Sequence, residues 1–281
     1  MAIFFLFRLK AIRGRQNPLF DQKVTRRQFV DNLLQSKPSD EIRSGYIWHI
    51  GNLIEIDEEG LLFAAGRTTI ASKEKFDEES GNFLEIDDEE SPFTYAIYDR
   101  KLSVLAILPK SKLAPTTKGI ARNIEKILNS SPLSKNSEVR IEISEIPDPE
   151  GFIMQIRSAY SVVGFKMEFG EPNPFDVEKD FHKPMESLLE ATGGDKGATN
   201  ISGDDLNRDA LESLSRSVAS VGQEAAARIR TTKGDRPVTK HLKGDPASFL
   251  IDKLEIPQQA AEIIIKLRHR YHQIRRAIEN D

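Results

Sequence analysis

The chain has 281 residues, 38 % hydrophobic and 30 % charged, which is enough apolar material for a buried core and excludes a wholly disordered chain. A net charge of -4 excludes a cationic field over the whole molecule. Cysteine is absent, so disulfides, a thiolate nucleophile and cysteine-held zinc or iron–sulfur centres are excluded as well.

Met1 to Leu9 opens the chain with Ile3, Phe4, Phe5, Leu6 and Phe7 in a row. The run is short, and Arg8, Lys10, Arg13 and Arg15 follow where a signal peptide would carry a small-residue cleavage site. A buried first strand is expected, in a cytoplasmic protein without a membrane partner, since no apolar run approaches the ~20 residues of a bilayer span. Thr25 to Gln35 carries Phe29, Val30, Leu33 and Leu34 on one helical face, ended by Lys37-Pro38. Tyr46 to Ile56 and Leu61 to Ile70 form a hairpin around Asp57-Glu58-Glu59-Gly60. Ala71 to Glu90 is highly acidic, with a short strand at Phe83, Leu84 and Ile86. Phe93 to Tyr98 and Leu102 to Leu108 are cleaner strands, and the second is apolar on both faces, as a central strand would be.

At Lys110 to Pro115 the pattern changes from hairpins to alternating helices and strands. Thr116 or Thr117 caps a helix with Ile120, Ile124, Ile127 and Leu128 on its stripe. Strand Val139 to Ile146, a helix from Pro149 and strand Val162 to Phe169 read as a βαβ unit. A helix over Val177 to Ala191 with Pro184 inside, and a strand near Thr199 to Ile201, come next. A helix over Leu206 to Val221, capped by Asp204 or Asp205, precedes a hairpin of Ala226 to Thr232 with Val238 to Leu242. Pro246 and Pro257 bracket a short helix with Phe249, Leu250 and Leu254, and Gln258 to Ile278 forms the last helix. The fold class is thus α+β: a hairpin-rich N-terminal half, a βαβ-containing C-terminal half and a long amphipathic C-terminal helix. Residues 1–112 make a β-rich domain with one helix, 113–256 an α/β domain, and 257–281 the terminal helix.

Catalytic signatures are sparse. No glycine-flanked serine lies between a strand and a helix, and no Gly-Lys-Ser or Gly-Lys-Thr is present, so nothing calls for a cofactor. His269 and His272 share a helical face, but the surrounding arginines argue against a metal. The enzymatic alternative is a nuclease-type toxin with a composite site from Glu85, Asp87 and His49, because Glu85 and Asp87 fall on one side of a strand.

Charge segregation carries more weight. Arg8, Lys10, Arg13, Arg15, Arg26 and Arg27 make one end basic, the acids crowd residues 55 to 90, and Lys266, Arg268, Arg270, Arg275 and Arg276 make the last helix basic again. Such a chain presents a local positive surface to phosphates despite its net acidity, with Tyr46, Trp48 and Tyr271 as aromatic faces for a single strand. The same segregation is satisfied if the basic ends neutralise the acidic middle of this chain or of another copy. The stripe Ile263, Ile264, Leu267, Tyr271, Ile274 and Ile278 offers a homo-oligomer interface.

Phe93-Thr94-Tyr95-Ala96-Ile97-Tyr98-Asp99, the Ile146-Pro147-Asp148 junction and the return strand ending in Glu171-Pro172-Asn173-Pro174 are similar to uncharacterised bacterial domain-of-unknown-function families found among phage-defence and toxin–antitoxin genes. The resemblance covers residues 45 to 245 and supplies no catalytic residue. It implies an accessory protein of a bacterial conflict system, working beside a partner protein from the same operon. The expected function is a non-catalytic binding subunit contacting nucleic acid or that partner through basic surfaces. A third alternative is an oligomeric scaffold without nucleic-acid affinity.

Overall fold

The computed structural model describes residues 1–13, 25–137, 139–170, 189, 191–192, 194, 196–252 and 255–276. The fold is mixed α+β. Its strands are β1 (Ala2–Arg13), β2 (Ser39–Arg43), β3 (Tyr46–Glu55), β4 (Gly60–Asp77), β5 (Asn82–Glu90), β6 (Phe93–Asp99), β7 (Val104–Ile107), β8 (Val139–Glu145), β9 (Ser161–Gly170), β10 (Lys196–Ser202), β11 (Ala225–Arg230), β12 (Val238–His241) and β13 (Ser248–Ile251). The helices are α1 (Arg26–Gln35), α2 (Thr117–Ser130), α3 (Pro132–Ser137), α4 (Glu150–Ser158), α5 (Arg208–Ser220) and α6 (Ala260–Arg275). The helix expected over 177–191 falls almost wholly outside the described residues.

A large sheet runs in the order β13-β1-β7-β6-β4-β3-β2, and a smaller one in the order β10-β9-β11-β12. Strand alternation gives the large sheet two buried faces. Phe4, Leu6, Leu62, Ile97, Val104 and Ala106 face one core, with the smaller sheet and α4, α5 and α6. Phe7, Leu9, Leu61, Phe63, Leu105 and Ile107 face the other, under α1 and α2. The apolar opening run is indeed a buried strand, and β7 is buried along its whole length between β1 and β6.

Local chemistry sets the helix starts. Thr25 and Gln28 exchange side-chain and backbone hydrogen bonds as a capping box on α1, and Thr116 caps α2 by accepting from Gly119 N at 3.1 Å. On α5 the cap is Asn207, which accepts from Asp209 N and Ala210 N. Neither Asp204 nor Asp205 takes that role, because Asp205 instead accepts from Val162 N at 2.9 Å and ties the loop to β9.

Two further expectations are corrected by strand pairing. Residues 248–251, read as a short helix, form β13, because the edge of β1 at Ala2 to Phe5 offers them a ladder and Phe249 stacks on Phe4. β8 and β9 do not make a βαβ unit: β8 pairs with β1, β9 pairs with β10 and β11, and all these pairings are antiparallel. β13 and β8 lie end to end along one edge of β1, joined by Leu6 N to Ala247 O at 2.8 Å and Ile146 N to Leu6 O at 3.1 Å. The large sheet therefore takes strands from both sides of the boundary expected at Lys110 to Pro115.

β4 outlasts its partners. β3 leaves it at Thr68 and β6 at Gly66, after which β4 pairs with β5 alone from Thr69 to Asp77. The acidic stretch is thus a two-stranded arm, about 30 Å long at the ordinary rise per residue. Its root is Gly66, where a Cβ would stand 2.8 Å from the Pro92 carbonyl oxygen and 2.6 Å from Phe93 Cβ. We expect Gly66→Ala to destabilise the protein by about 1–3 kcal/mol in urea unfolding. Gly51→Ala in β3, with open space at its Cβ position, stays near wild type in the same measurement.

Candidate nucleic-acid interface

Most of the cations singled out in the sequence are held by this chain's own groups. Arg8 is buried on β1, with Nη1 donating to the Leu102 carbonyl at 2.6 Å and the Tyr271 hydroxyl at 2.9 Å. It cannot reach a phosphate in this fold. Arg27 pairs with Glu59 at 2.7 Å, Lys266 with Glu262 at 3.0 Å, and Arg270 with Asp148. Arg268 bridges Asp57 at 2.8 Å and the buried Asp99 at 2.6 Å. Lys10, Arg26 and Arg275 are half-buried and also have partners, whereas Arg276 is exposed. Arg15 and the side chain of Arg13 lie outside the described residues. The reason is mutual neutralisation: Asp57 and Glu59, in the acidic middle, are the anions that Arg268 and Arg27 take.

The aromatic and apolar expectations are corrected in the same way. Trp48 and Tyr271 are buried, and Tyr46 already has Arg67 4.5 Å and Arg43 5.5 Å from its ring centroid. Ile263, Ile264, Leu267, Tyr271 and Ile274 are spent in the core of their own chain, so this stripe is not an open subunit interface. Ile278 lies outside the described residues.

The composite acidic site does not assemble either. Glu85 and Asp87 are exposed on the arm, opposite Glu74 and Ser72, whereas His49 lies opposite Gly66 on β4, about 20 Å along the strand from Ser72. His49 instead stands between Ser39 Oγ at 2.8 Å and Thr68 Oγ1 at 3.0 Å. Among the described residues no group of three or more His, Asp and Glu is placed to hold a metal ion.

The Arg268 clamp has a pH signature. Hydrogen bonding from Arg268 holds the Asp57 carboxyl below its ordinary 3.8, against an upward push from burial. A depressed folded-state value adds stability above the unfolded value and withdraws it as pH falls through the folded one. We expect the melting temperature to drop below about pH 4, and Asp57→Asn to flatten that acid limb in thermal melts across pH.

A free cationic surface exists elsewhere, on the outer face of the small sheet. Ala225, Ala227 and Ile229 of β11 point into the core, which turns Ala226, Arg228 and Arg230 outward. Register then places Lys166 of β9 beside Ala226 and Asn200, and Gly164 beside Arg228 and Ser202. The Arg228 stem lies over Gly164, 3.5 Å from where a Cβ would be. The turn to β12 adds exposed Lys233 and Arg236. None of Lys166, Arg228, Arg230, Lys233 and Arg236 has an ion-pair partner among the described residues. Glu168 is the single carboxylate at the outward strand positions.

The sequence did hold a signal for this face. Between Ala226 and Lys243, Arg228, Arg230, Lys233, Arg236, Lys240 and Lys243 accompany one carboxylate, Asp235.

No protein-family model matches this chain, and no curated protein is significantly similar to it. No helix among the described residues is long and apolar enough to cross a membrane.

Proposed function

We propose that the protein is a non-catalytic, nucleic-acid-binding subunit that grips the phosphate backbone through the outer face of β9, β10, β11 and β12. The observation that carries this reading is the set of five unpaired cations, Lys166, Arg228 and Arg230 at outward strand positions and Lys233 and Arg236 in the turn to β12. Exposed cations without ion-pair partners create the local field that polyanions follow. The outward positions of the strands carry small and polar residues, including Gly164, Ala198, Asn200 and Ala226. A floor of this kind offers one ring, the exposed His241 opposite Ala226, and few groups for base edges, so it favours contact with the backbone over reading of sequence. Tyr160, half exposed, flanks the face where its N–H donates to the Arg230 carbonyl.

The resemblance found in the sequence supplies the setting, a cytoplasmic complex of a bacterial defence system with a partner protein. Labelled single- and double-stranded oligonucleotides of unrelated sequence should bind with similar affinity and weaken steeply with salt in anisotropy titrations. Binding that ignores salt, or none at low salt, would overturn the proposal.

A further inference from the structure

We propose that the acidic arm of one copy docks on the basic sheet face of a second copy. Thr69 to Glu90 contains nine carboxylates and two lysines. Strand register sorts them: one face of the arm carries Glu74, Glu85, Asp87 and Glu89, with Phe76 opposite Phe83 near the tip. By identity that face has no cation, and Lys75 belongs to the opposite one. None of the four carboxylates has an ion-pair partner among the described residues.

The arm is also apolar where water should be. Ile70 is 74 % exposed, Phe76 49 % and Phe83 81 %, all on the acidic face, and the two rings meet edge to face at 5.1 Å. A two-stranded ribbon with only itself for support is marginal in water, so covering these groups stabilises it.

The occupant is read from complementarity. An anionic ribbon with aromatic side chains needs a cationic surface with shallow gaps. The outer face of the small sheet has Lys166, Arg228 and Arg230 set among Gly164, Ala198 and Ala226. Opposite charge across an interface selects the partner and speeds encounter. Because arm and face are different patches, the contact is made reciprocally in a two-fold dimer or repeats head-to-tail into a ring or filament. Docking stands without the nucleic-acid reading. Its consequence, that the arm competes with nucleic acid for the same cations, rests on that reading.

The test uses full-length protein without nucleic acid and reads mass by light scattering. Wild type should assemble at low salt and dissociate at high salt. Glu85→Lys with Asp87→Lys, and separately Lys166→Glu with Arg228→Glu, should each leave a monomer. Mixing the two variants should restore assembly, since each reversed patch then meets its complement. A wild-type monomer at low salt, assembly that persists in either variant, or no recovery on mixing overturns the proposal. The arm variant keeps its basic face and should still bind oligonucleotides, so the two proposals fail separately.

Discussion

Lys166→Glu with Arg228→Glu is expected to reduce nucleic-acid affinity by about 200-fold at 50 mM salt while leaving the melting temperature near wild type. Each phosphate neutralised on duplex DNA releases counterions and adds about 0.9 to the slope of affinity against salt. Five cations, three on the outer sheet face and two in the turn to β12, give a slope of about −4.5, and a fourfold rise in salt then costs about 500-fold. Removing two contacts brings the slope toward about −2.7, and at 50 mM salt each lost contact removes a factor of about 15. The loss should be uniform across sequences, because backbone contacts carry no base information. Lys166 and Arg228 are exposed and unpaired, so neither substitution strips a partner from a buried carboxylate. Anisotropy titrations at several salt concentrations check both slope and affinity, and a loss confined to one sequence would contradict backbone gripping.

The largest stability effect is expected at Arg216. Its side chain is 2 % exposed on α5, hydrogen-bonded to Glu212 at 2.8 and 3.0 Å and to Glu150 of α4 at 2.7 and 3.2 Å. Glu212 is itself buried and also accepts from Arg157 of α4 at 2.5 Å. Burial pushes the Glu212 carboxyl up, and hydrogen bonds from Arg216 and Arg157 more than reverse it, so it stays ionised and fixes α5 to α4. Arg216→Ala leaves a buried anion with half its compensation, at a cost of about 3–5 kcal/mol. For a chain of this size that lowers the melting temperature by roughly 10 °C. Replacing both buried members, Arg216→Met with Glu212→Leu, should lie nearer wild type than Arg216→Ala, because the charges left behind, Glu150 and Arg157, are solvent-exposed. Calorimetry of the three proteins checks the order.

What could be read from the letters follows from periodicity. Phe4 to Phe7 announce a strand because no polar position interrupts them, and residues 104–107 announce a central one because both alternating sets are apolar. The α6 stripe is equally plain, although its use inside the chain is not, since an amphipathic face looks the same whether it meets its own sheet or another subunit. Residues 248–251 fail for a related reason. Four apolar-leaning residues between prolines suit a helix or a strand, and only the vacant edge of β1 decides between them. The cations were hardest to place. Arg268 and Arg228 are chemically alike in sequence, but one lies against Asp57 and Asp99 and the other across a glycine, and both facts come from pairings distant along the chain.

The end-to-end seating of β8 and β13 on β1 bears on how the nascent protein emerges from the ribosome. Phe4, Phe5 and Leu6 are made long before Phe249, which covers Phe4, and Tyr271, which receives the Arg8 guanidinium. Until β13 is made, the edge of that greasy segment from Ala2 to Phe5 stays uncovered, so it is a natural handle for a holding chaperone and a place where stalled translation would seed clumping.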